Sequence, residues 1–282
     1  MSDKKVCLIT GATSGIGKAT LLSLARQGMS IVMVSRNKEK GESVRAAITN
    51  KTRNENIHLA IADLSSQQDI RKLAGDIKSK YSKLDILVNN AGGIFNKRIL
   101  TFDGLELTFA LNHLAYFLLT NLLLEILKAA PAGRVVNVSS QAHRYGSMEF
   151  DDPGFEKGYN AMKSYAQSKL ANLLFTYEFS RHLAGTGITV NALHPGTVRT
   201  NFGKELSGIA GFVFKRLDFF MRSPEKGAET VIWLASAAEV EGVSGKYFLD
   251  KKEIRSSKIS YDESVAHRLW EVSAQMTGLE SH

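Results

Sequence analysis

Short apolar runs alternate with longer stretches of helical periodicity over most of the chain. Val6–Thr10, Ser30–Ser35, Ile57–Ala62, Ile86–Asn89, Arg134–Ser139 and Thr189–Leu193 read as strands. Several are apolar at consecutive positions, the pattern of a strand covered by helices on both faces. Between them Gly17–Arg26, Lys38–Ile48, Gln67–Lys80, Gly104–Lys128 and Tyr165–Leu183 carry helical spacing, and Glu225–Ala238 and Tyr261–Met276 read as helices near the C-terminus. This alternation predicts an α/β fold, a doubly wound parallel sheet with helices on both faces. There is no internal repeat, low-complexity tract or Pro/Gly/Ser-rich linker, so residues 1–282 are expected to form a single domain. In such sheets ligands bind beyond the carboxyl ends of the strands, where strand order reverses. The strand ends are therefore where chemistry is expected.

Composition narrows the picture only a little. The 282 residues are 44% hydrophobic and 23% charged, ordinary for a globular protein with ample chain for a core. The formal net charge is +8, but Lys and Arg are spread along the chain without a nucleic-acid motif, so nucleic acid is not an expected partner. A solvated basic surface is the plain reading; attraction to phosphate-rich ligands or an anionic membrane is the alternative. The single cysteine, Cys7, lies in an apolar run and leaves neither an internal disulfide nor a cysteine-based metal site, and no metal is expected. Met1-Ser2-Asp3-Lys4-Lys5 leads straight into Val6–Ile9, too short for a secretory apolar core. No run approaches the ~18 apolar residues of a membrane span. The nearest, Leu114 to Leu127, is broken by Thr120, Asn121 and Glu125 and reads as a buried helix. A cytoplasmic protein is expected, with peripheral membrane association as the alternative.

The first strand runs into Thr10-Gly11-Ala12-Thr13-Ser14-Gly15-Ile16-Gly17. Glycines let the backbone turn sharply and approach a pyrophosphate, and the helix that follows offers free N–H groups and a positive dipole end. The spacing Gly-x3-Gly-x-Gly differs from the usual G-x-G-x-x-G fingerprint, and a glycine-rich turn without a ligand is the competing reading. The second strand ends Ser35-Arg36-Asn37-Lys38. An NAD site usually places an Asp or Glu here for the adenosine ribose hydroxyls. Arg36, with Lys38 and Lys40 close by, suits a 2′-phosphate instead. NADP(H) is therefore the expected cofactor ahead of NAD(H), against the bland reading of a solvent-facing Arg.

Further along, Asp63-Leu64 brings a short polar side chain within reach of an adenine edge. Asn89-Asn90-Ala91-Gly92 lets the backbone pass close to a cofactor ribose, although turn residues look the same. Val138-Ser139-Ser140 puts a serine hydroxyl at the tip of a central strand, well placed to donate to a substrate carbonyl. The sixth strand runs into His194-Pro195-Gly196-Thr197-Val198-Arg199-Thr200, whose Pro-Gly turn suits the wall of a nicotinamide pocket. His143 and His194 have no metal-ligand company and read as structural partners.

Ser164-Tyr165-Ala166-Gln167-Ser168-Lys169 organises the rest. Tyr165 and Lys169 stand four residues apart, one turn along one helix face. A free tyrosine titrates near pH 10, and a neighbouring ammonium favours the phenolate and moves that value toward neutrality. The pair is thus a candidate proton-transfer device, although taken alone it reads more readily as an ordinary exposed helix face.

With these residues laid out, the chain resembles the short-chain dehydrogenase/reductases from about Val6 to Asp250. Thr-Gly-x3-Gly-Ile-Gly, Asn-Asn-Ala-Gly, Asn112, Val-Ser-Ser, Tyr-x3-Lys and Pro-Gly occur in that family's order. Within the family it is most similar to the retinol dehydrogenase-like branch, through Leu111-Asn112-His113-Leu114, Phe117-Leu118-Leu119-Thr120, Ser139-Ser140-Gln141-Ala142-His143, His194-Pro195-Gly196, Glu225-Lys226-Gly227-Ala228 and Ser244-Gly245-Lys246-Tyr247-Phe248. The resemblance implies a Rossmann-type fold and four catalytic residues. Tyr165 is then the general acid/base, Lys169 lowers its pKa and holds the nicotinamide ribose, Ser140 polarises the substrate carbonyl, and Asn112 holds a proton-relay water in a bent helix. Ser140 is chosen over Ser139 because the family's catalytic serine is the second of the pair. The implied cofactor contacts are Gly11, Thr13, Ser14, Gly15, Ile16, Gly17, Arg36, Asp63, Leu64, Asn90, Ala91, Gly92, Tyr165, Lys169, Pro195, Gly196, Val198 and Thr200.

Two departures stand out. Ser140 and Tyr165 are further apart than in the family's best-known members, and the extra residues, Arg144 to Lys163, are expected to form a loop at the substrate mouth. Membrane-bound relatives carry an apolar N-terminal anchor that the N-terminus here does not resemble. The implied activity is NADP(H)-dependent interconversion of a hydrophobic aldehyde or ketone, retinal-like or lipid-derived, with its alcohol. The alternatives are a reductase of steroids or other bulky ketones, and a non-catalytic NADP(H) sensor. Substrate choice is expected in the apolar segment 202–222, read as a lid, a membrane-contacting helix or plain core, ahead of the helical region 225–282. A homodimer is a further expectation.

Overall fold

The computed structural model describes residues 4–198 and 222–280; Thr200 and residues 202–221 of the expected lid lie outside the described residues. The six expected strands all form, as β1 (Val6–Ile9), β2 (Ser30–Ser35), β3 (Ile57–Ile61), β4 (Ile86–Asn89), β5 (Arg134–Val138) and β6 (Thr189–Leu193). Two more, β7 (Lys246–Leu249) and β8 (Lys252–Glu253), complete one sheet of order β3-β2-β1-β4-β5-β6-β7-β8. Every pairing is parallel except β7 with β8. Strand order reverses between β1 and β4, which marks the crevice where such sheets bind ligands.

The consecutive apolar positions are explained by two layers. On one face Ile9, Met33 and Val136 pack with Leu21, Leu24, Val231 and Leu234, from α1 (Gly15–Arg26) and α8 (Pro224–Ser236). On the other, Leu8, Val34 and Val135 pack with Leu73, Leu118, Phe175 and Phe179, from α3 (Gln67–Lys80), α5 (Ala115–Leu122) and α7 (Ala161–His182). α2 (Lys38–Thr52) covers β2 and β3 through Val44 and Ile48. At about 25 cal/mol per Å2 of apolar surface removed from water, each such buried side chain contributes roughly 1.5–3 kcal/mol.

Two expected helices differ from their sequence reading. The region 104–128 is not one helix. Glu106 caps α4 (Leu107–Phe109), a π-helical turn follows at Ala110–Leu114, and α5 breaks at Leu123 before α6 (Leu124–Lys128). α7 begins at Ala161, four residues before Tyr165, because the Asn160 side chain caps Met162 N and Lys163 N at 3.0 Å. Ser164 to Phe179 of α7 are buried without a gap, so Tyr165 and Lys169 do not lie on an exposed helix face. The C-terminal helix α9 (Glu263–Thr277) packs Ala266 and Leu269 against Leu170 and Leu174 of α7.

Candidate active site

At the reversal point the glycine-rich loop is held by its neighbours. Thr10 Oγ1 accepts from Asn90 N at 2.8 Å and Ala91 N at 3.0 Å, and Asn90 Nδ2 donates to Thr10 O at 2.8 Å. The Asn90 side chain is thus spent on the loop. Gly11 has φ +66°, and a Cβ there would lie 2.9 Å from Ala91 Cα. At Gly17 a Cβ would lie 2.3 Å from Gly11 O, and at Gly92 it would lie 2.8 Å from Asn112 Oδ1. Glycine is required here by close approach of neighbouring backbone and, at Gly92, of the Asn112 side chain, which packs the loop tightly ahead of the N-terminus of α1. The Ser14 side chain makes no capping bond. Free N–H groups therefore face the position expected for a pyrophosphate.

At the end of β2, Arg36 is exposed and its Nη1 lies 3.9 Å from Asp63 Oδ2. Asp63 Oδ1 accepts from Ser65 N at 2.9 Å and Ser65 Oγ at 2.7 Å. One carboxylate oxygen is therefore committed to its own turn. Leu64 buries its side chain in the core beside Ile70. Any contact it makes to a bound adenine is through its backbone.

The π-helical turn carries Asn112, fully buried. Asn112 Oδ1 accepts from Gly93 N at 2.8 Å, while Nδ2 donates to Gly93 O at 2.9 Å and Ser168 Oγ at 3.0 Å. Its backbone carbonyl accepts from Asn172 Nδ2 at 2.9 Å. This stitches the β4 loop to α7. A second polar ladder lies beneath: Asn89 Nδ2 donates to Asn137 Oδ1 at 2.9 Å, and Asn137 Nδ2 donates to Thr176 Oγ1 at 3.0 Å. Sequence reading missed Ser168, Asn172 and Thr176. Their signal is a row of polar residues at four-residue spacing along a helix that turns out to be buried around its circumference, where each must find a partner.

The two serines at the end of β5 part company. Ser139 is buried and its hydroxyl donates to Lys169 O at 2.8 Å. The Ser140 hydroxyl accepts from Ala142 N at 3.2 Å and hydrogen-bonds the Tyr165 phenol. Lys169 Nζ donates to Val138 O at 3.0 Å and lies 5.7 Å from the centroid of the Tyr165 ring. Ser140, Tyr165 and Lys169 are therefore brought together, with Asn112 one residue-width behind through Ser168.

Burial, not the pairing, dominates their titration. It pushes the Tyr165 phenol up to about 12, with the Ser140 hydrogen bond pulling the other way. It lowers Lys169 to about 7. The sequence reading had the ammonium moving Tyr165 toward neutrality. Within the chain, desolvation of both groups outweighs that attraction.

The residues 144–163 begin in a 3-10 turn at Gln141–Tyr145 and then strap across the start of α7. Gln167 Nε2 donates to Pro153 O at 2.9 Å, Gln167 Oε1 accepts from Glu149 N at 2.8 Å, and Tyr159 donates to Phe95 O at 2.8 Å. His143 also acts structurally. Ser257 N donates to its Nε2 at 3.1 Å, so the neutral ring carries its proton on Nδ1, which lies 2.6 Å from Ser140 O. At the end of β6, Gly196 N donates to His194 Nδ1 at 3.0 Å, and Gly196 has φ +81°. Pro195 is at that turn, and Val198 packs against the position of Gly227 and toward Ile16, returning this strand end to the glycine loop. Thr13, Gly15, Ile16 and Ala91 line the same loop at intermediate exposure.

Comparison with known proteins agrees with this geometry. A family model described as short chain dehydrogenase matches residues 5–208. Human retinol dehydrogenase 13 is 44% identical over 284 residues, covering 98% of this chain and 86% of that protein. Human retinol dehydrogenase 14 is 41% identical over 291 residues, covering 98% and 87%. A solved structure from Mycobacterium paratuberculosis superposes with a TM-score of 0.80 at 31% identity, covering 98% of this chain and 94% of that one. A Shigella flexneri short chain dehydrogenase solved with NADP has a TM-score of 0.68 at 24% identity, covering 87% and 96%, and shows the shared fold. Among the described residues no helix is long and apolar enough to cross a membrane. The chain belongs to the short-chain dehydrogenase family, in its retinol dehydrogenase-like branch, and is an NAD(P)-dependent oxidoreductase.

Proposed function

We propose that this protein uses NADP(H) to interconvert a hydrophobic aldehyde or ketone and its alcohol, with reduction as the working direction. The observation that carries this reading is the hydrogen-bonded pair of Ser140 and Tyr165 with Lys169 one turn further along α7. The loop chemistry suits a dinucleotide: Gly11, Gly17 and Gly92 sit where a Cβ would collide with Ala91, Gly11 O and Asn112, so the loop packs tightly at the N-terminus of α1, and Lys169 Nζ lies 3.6 Å from the Cβ position of Gly92. Gly11 to Gly17 would hold the pyrophosphate, Arg36 a 2′-phosphate, Ala91 and Gly92 the ribose through their backbone, and Pro195, Gly196 and Val198 the nicotinamide side.

When bound, the cofactor supplies the hydride for the carbonyl carbon. The chain's part is to hold the carbonyl oxygen and supply a proton. Ser140 donates a hydrogen bond to that oxygen as charge develops on it. Tyr165, which burial keeps neutral, gives its phenolic proton to the same oxygen, a step of a kind that contributes about 10²–10⁴-fold. Lys169 stabilises the phenolate left behind. Asn112 would hold the water that returns the proton, using the second lone pair of a carbonyl already accepting from Asn172.

The substrate class rests on the apolar composition of residues 202–222 and on the names of the retinol dehydrogenases at about 40% identity. Tyr165→Phe tests the reading. Turnover should fall by about 10³-fold or more while NADPH still binds. A panel of retinoid, steroid and lipid-derived carbonyls, followed by NADPH oxidation, identifies the substrate. Turnover of none of them alongside tight NADPH binding would favour a sensor.

A further inference from the structure

Lys169 is a buried ammonium, 4% exposed, with no carboxylate paired to it among the described residues. A charge in that position needs replacement for the water it has lost. One of its three N–H groups has the carbonyl of Val138 at 3.0 Å. The titratable groups that face it are two phenols. Tyr165 comes from its own helix, and Tyr116 comes from α5. Each ring centroid lies 5.7 Å from Nζ.

Tyr116 stands one turn beyond Asn112, so the segment that stitches the β4 loop to α7 also presents this ring to Lys169. The ring is 1% exposed, and its hydroxyl has no hydrogen-bond partner among the described residues. A hydrogen bond from that hydroxyl therefore does not explain where the side chain sits. What Tyr116 offers Lys169 is its face, whose negative electrostatic potential attracts a cation most strongly where water is excluded.

We infer that Tyr116 is a positioning residue for the proton-transfer centre: its ring face, together with that of Tyr165, holds the Lys169 side chain in place and keeps it charged. This rests on the role given to Lys169 above. The low titration point of Lys169, about 7, makes the contact consequential, because a small change in its surroundings then alters the charged fraction near neutral pH. Losing a ring face from a desolvated ammonium lowers that point by about one pH unit.

The test reads Lys169 directly, without cofactor. Protein labelled at lysine 13Cε is titrated by NMR, and the Lys169 resonance is assigned by its loss in Lys169→Arg. In Tyr116→Leu and Tyr116→Met the Lys169 titration should move about one pH unit lower, and in Tyr116→Phe it should stay with the wild type. The pH profile of turnover should separate the variants in the same way, with Phe restoring what Leu removes. The inference is overturned if Leu and Met titrate with the wild type, or if Phe shifts as far as they do. Failure of the dehydrogenase reading would appear separately, as absence of NADPH binding and turnover in the wild type.

Discussion

The Ser139 hydroxyl donates to the backbone carbonyl of Lys169 at 2.8 Å. One serine of the pair thus ties β5 to the helix that carries the lysine, and the next is left to meet the Tyr165 phenol. A strand tip and a helix turn are joined by this bond, which leaves the Ser139 hydroxyl committed to the backbone.

The two serines should therefore respond differently to alanine. Ser140→Ala should lower kcat/KM by about 10²-fold or more, since a donor to the developing oxyanion is lost. Ser139→Ala should leave turnover within a few-fold and cost about 1 kcal/mol of stability. Steady-state kinetics and thermal melts of both variants check the contrast. Equal kinetic losses would remove the distinction.

Arg36 should decide the cofactor. Arg36→Asp replaces a partner for the 2′-phosphate with a carboxylate near Asp63, so the NADPH:NADH ratio of kcat/KM should fall by about 10–100-fold. A wild-type enzyme equally efficient with both cofactors would exclude NADP(H) preference.

Glycine substitutions should separate packing from conformation. Gly17→Ala puts a methyl 2.3 Å from Gly11 O and 2.6 Å from Asn90 Nδ2, so it should destabilise by more than about 2 kcal/mol and abolish NADPH binding. Gly75→Ala, within α3 and with nothing within 4 Å of the new Cβ, should stabilise by about 0.5–1 kcal/mol. Denaturant unfolding and fluorescence titration with NADPH measure both.

Acid should destabilise the fold through its buried histidines. Burial holds His113 and His194 down at about 4, below the usual value near 6.5. Between those values the unfolded chain binds more protons than the folded one, so the stability they contribute is present above pH 6.5 and lost as pH falls toward 4. Each fully titrating group changes the slope by about 1.4 kcal/mol per pH unit. Burial keeps the His113 ring neutral although its contact with Asn172 Oδ1 at 3.3 Å pulls the other way; Ser273 Oγ lies 2.9 Å from Nε2. His113→Gln should flatten the decline of unfolding free energy from pH 7 to 5, as read by urea unfolding at several pH values. An unchanged slope would show that the ring is charged in the native state.

Local pattern makes the first six strands legible, while the candidate site residues are read from motifs together with a family resemblance. The first six strands announce themselves as apolar runs because both faces of a parallel sheet are covered, and the glycine loop, Arg36, Asp63, Asn90 and Ser140 sit at strand ends because the connections to the next elements begin there. β7 was missed since four residues, two of them Tyr247 and Phe248, carry too little periodicity to distinguish strand from loop, and β8 has only two. The break of 104–128 at the π-helical turn was equally hidden, because Ala110–Leu114 has ordinary helical residues and its geometry answers to Gly93, Ser168 and Asn172.

What the amino-acid order determined by itself was the alternation of strands and helices, the glycine loop, Arg36 at the end of β2, and the four-residue spacing of Tyr165 and Lys169. Those follow from period, turn chemistry and helical rise, which act between near neighbours. Only the tertiary structure decided that α7 is buried all around and that Ser140 meets Tyr165 while Ser139 does not. It also decided that Tyr116 faces Lys169 and that desolvation governs the titration of Tyr165 and Lys169. Burial and charge environment are sums over contacts far apart in the chain, and a pattern of neighbours does not contain them.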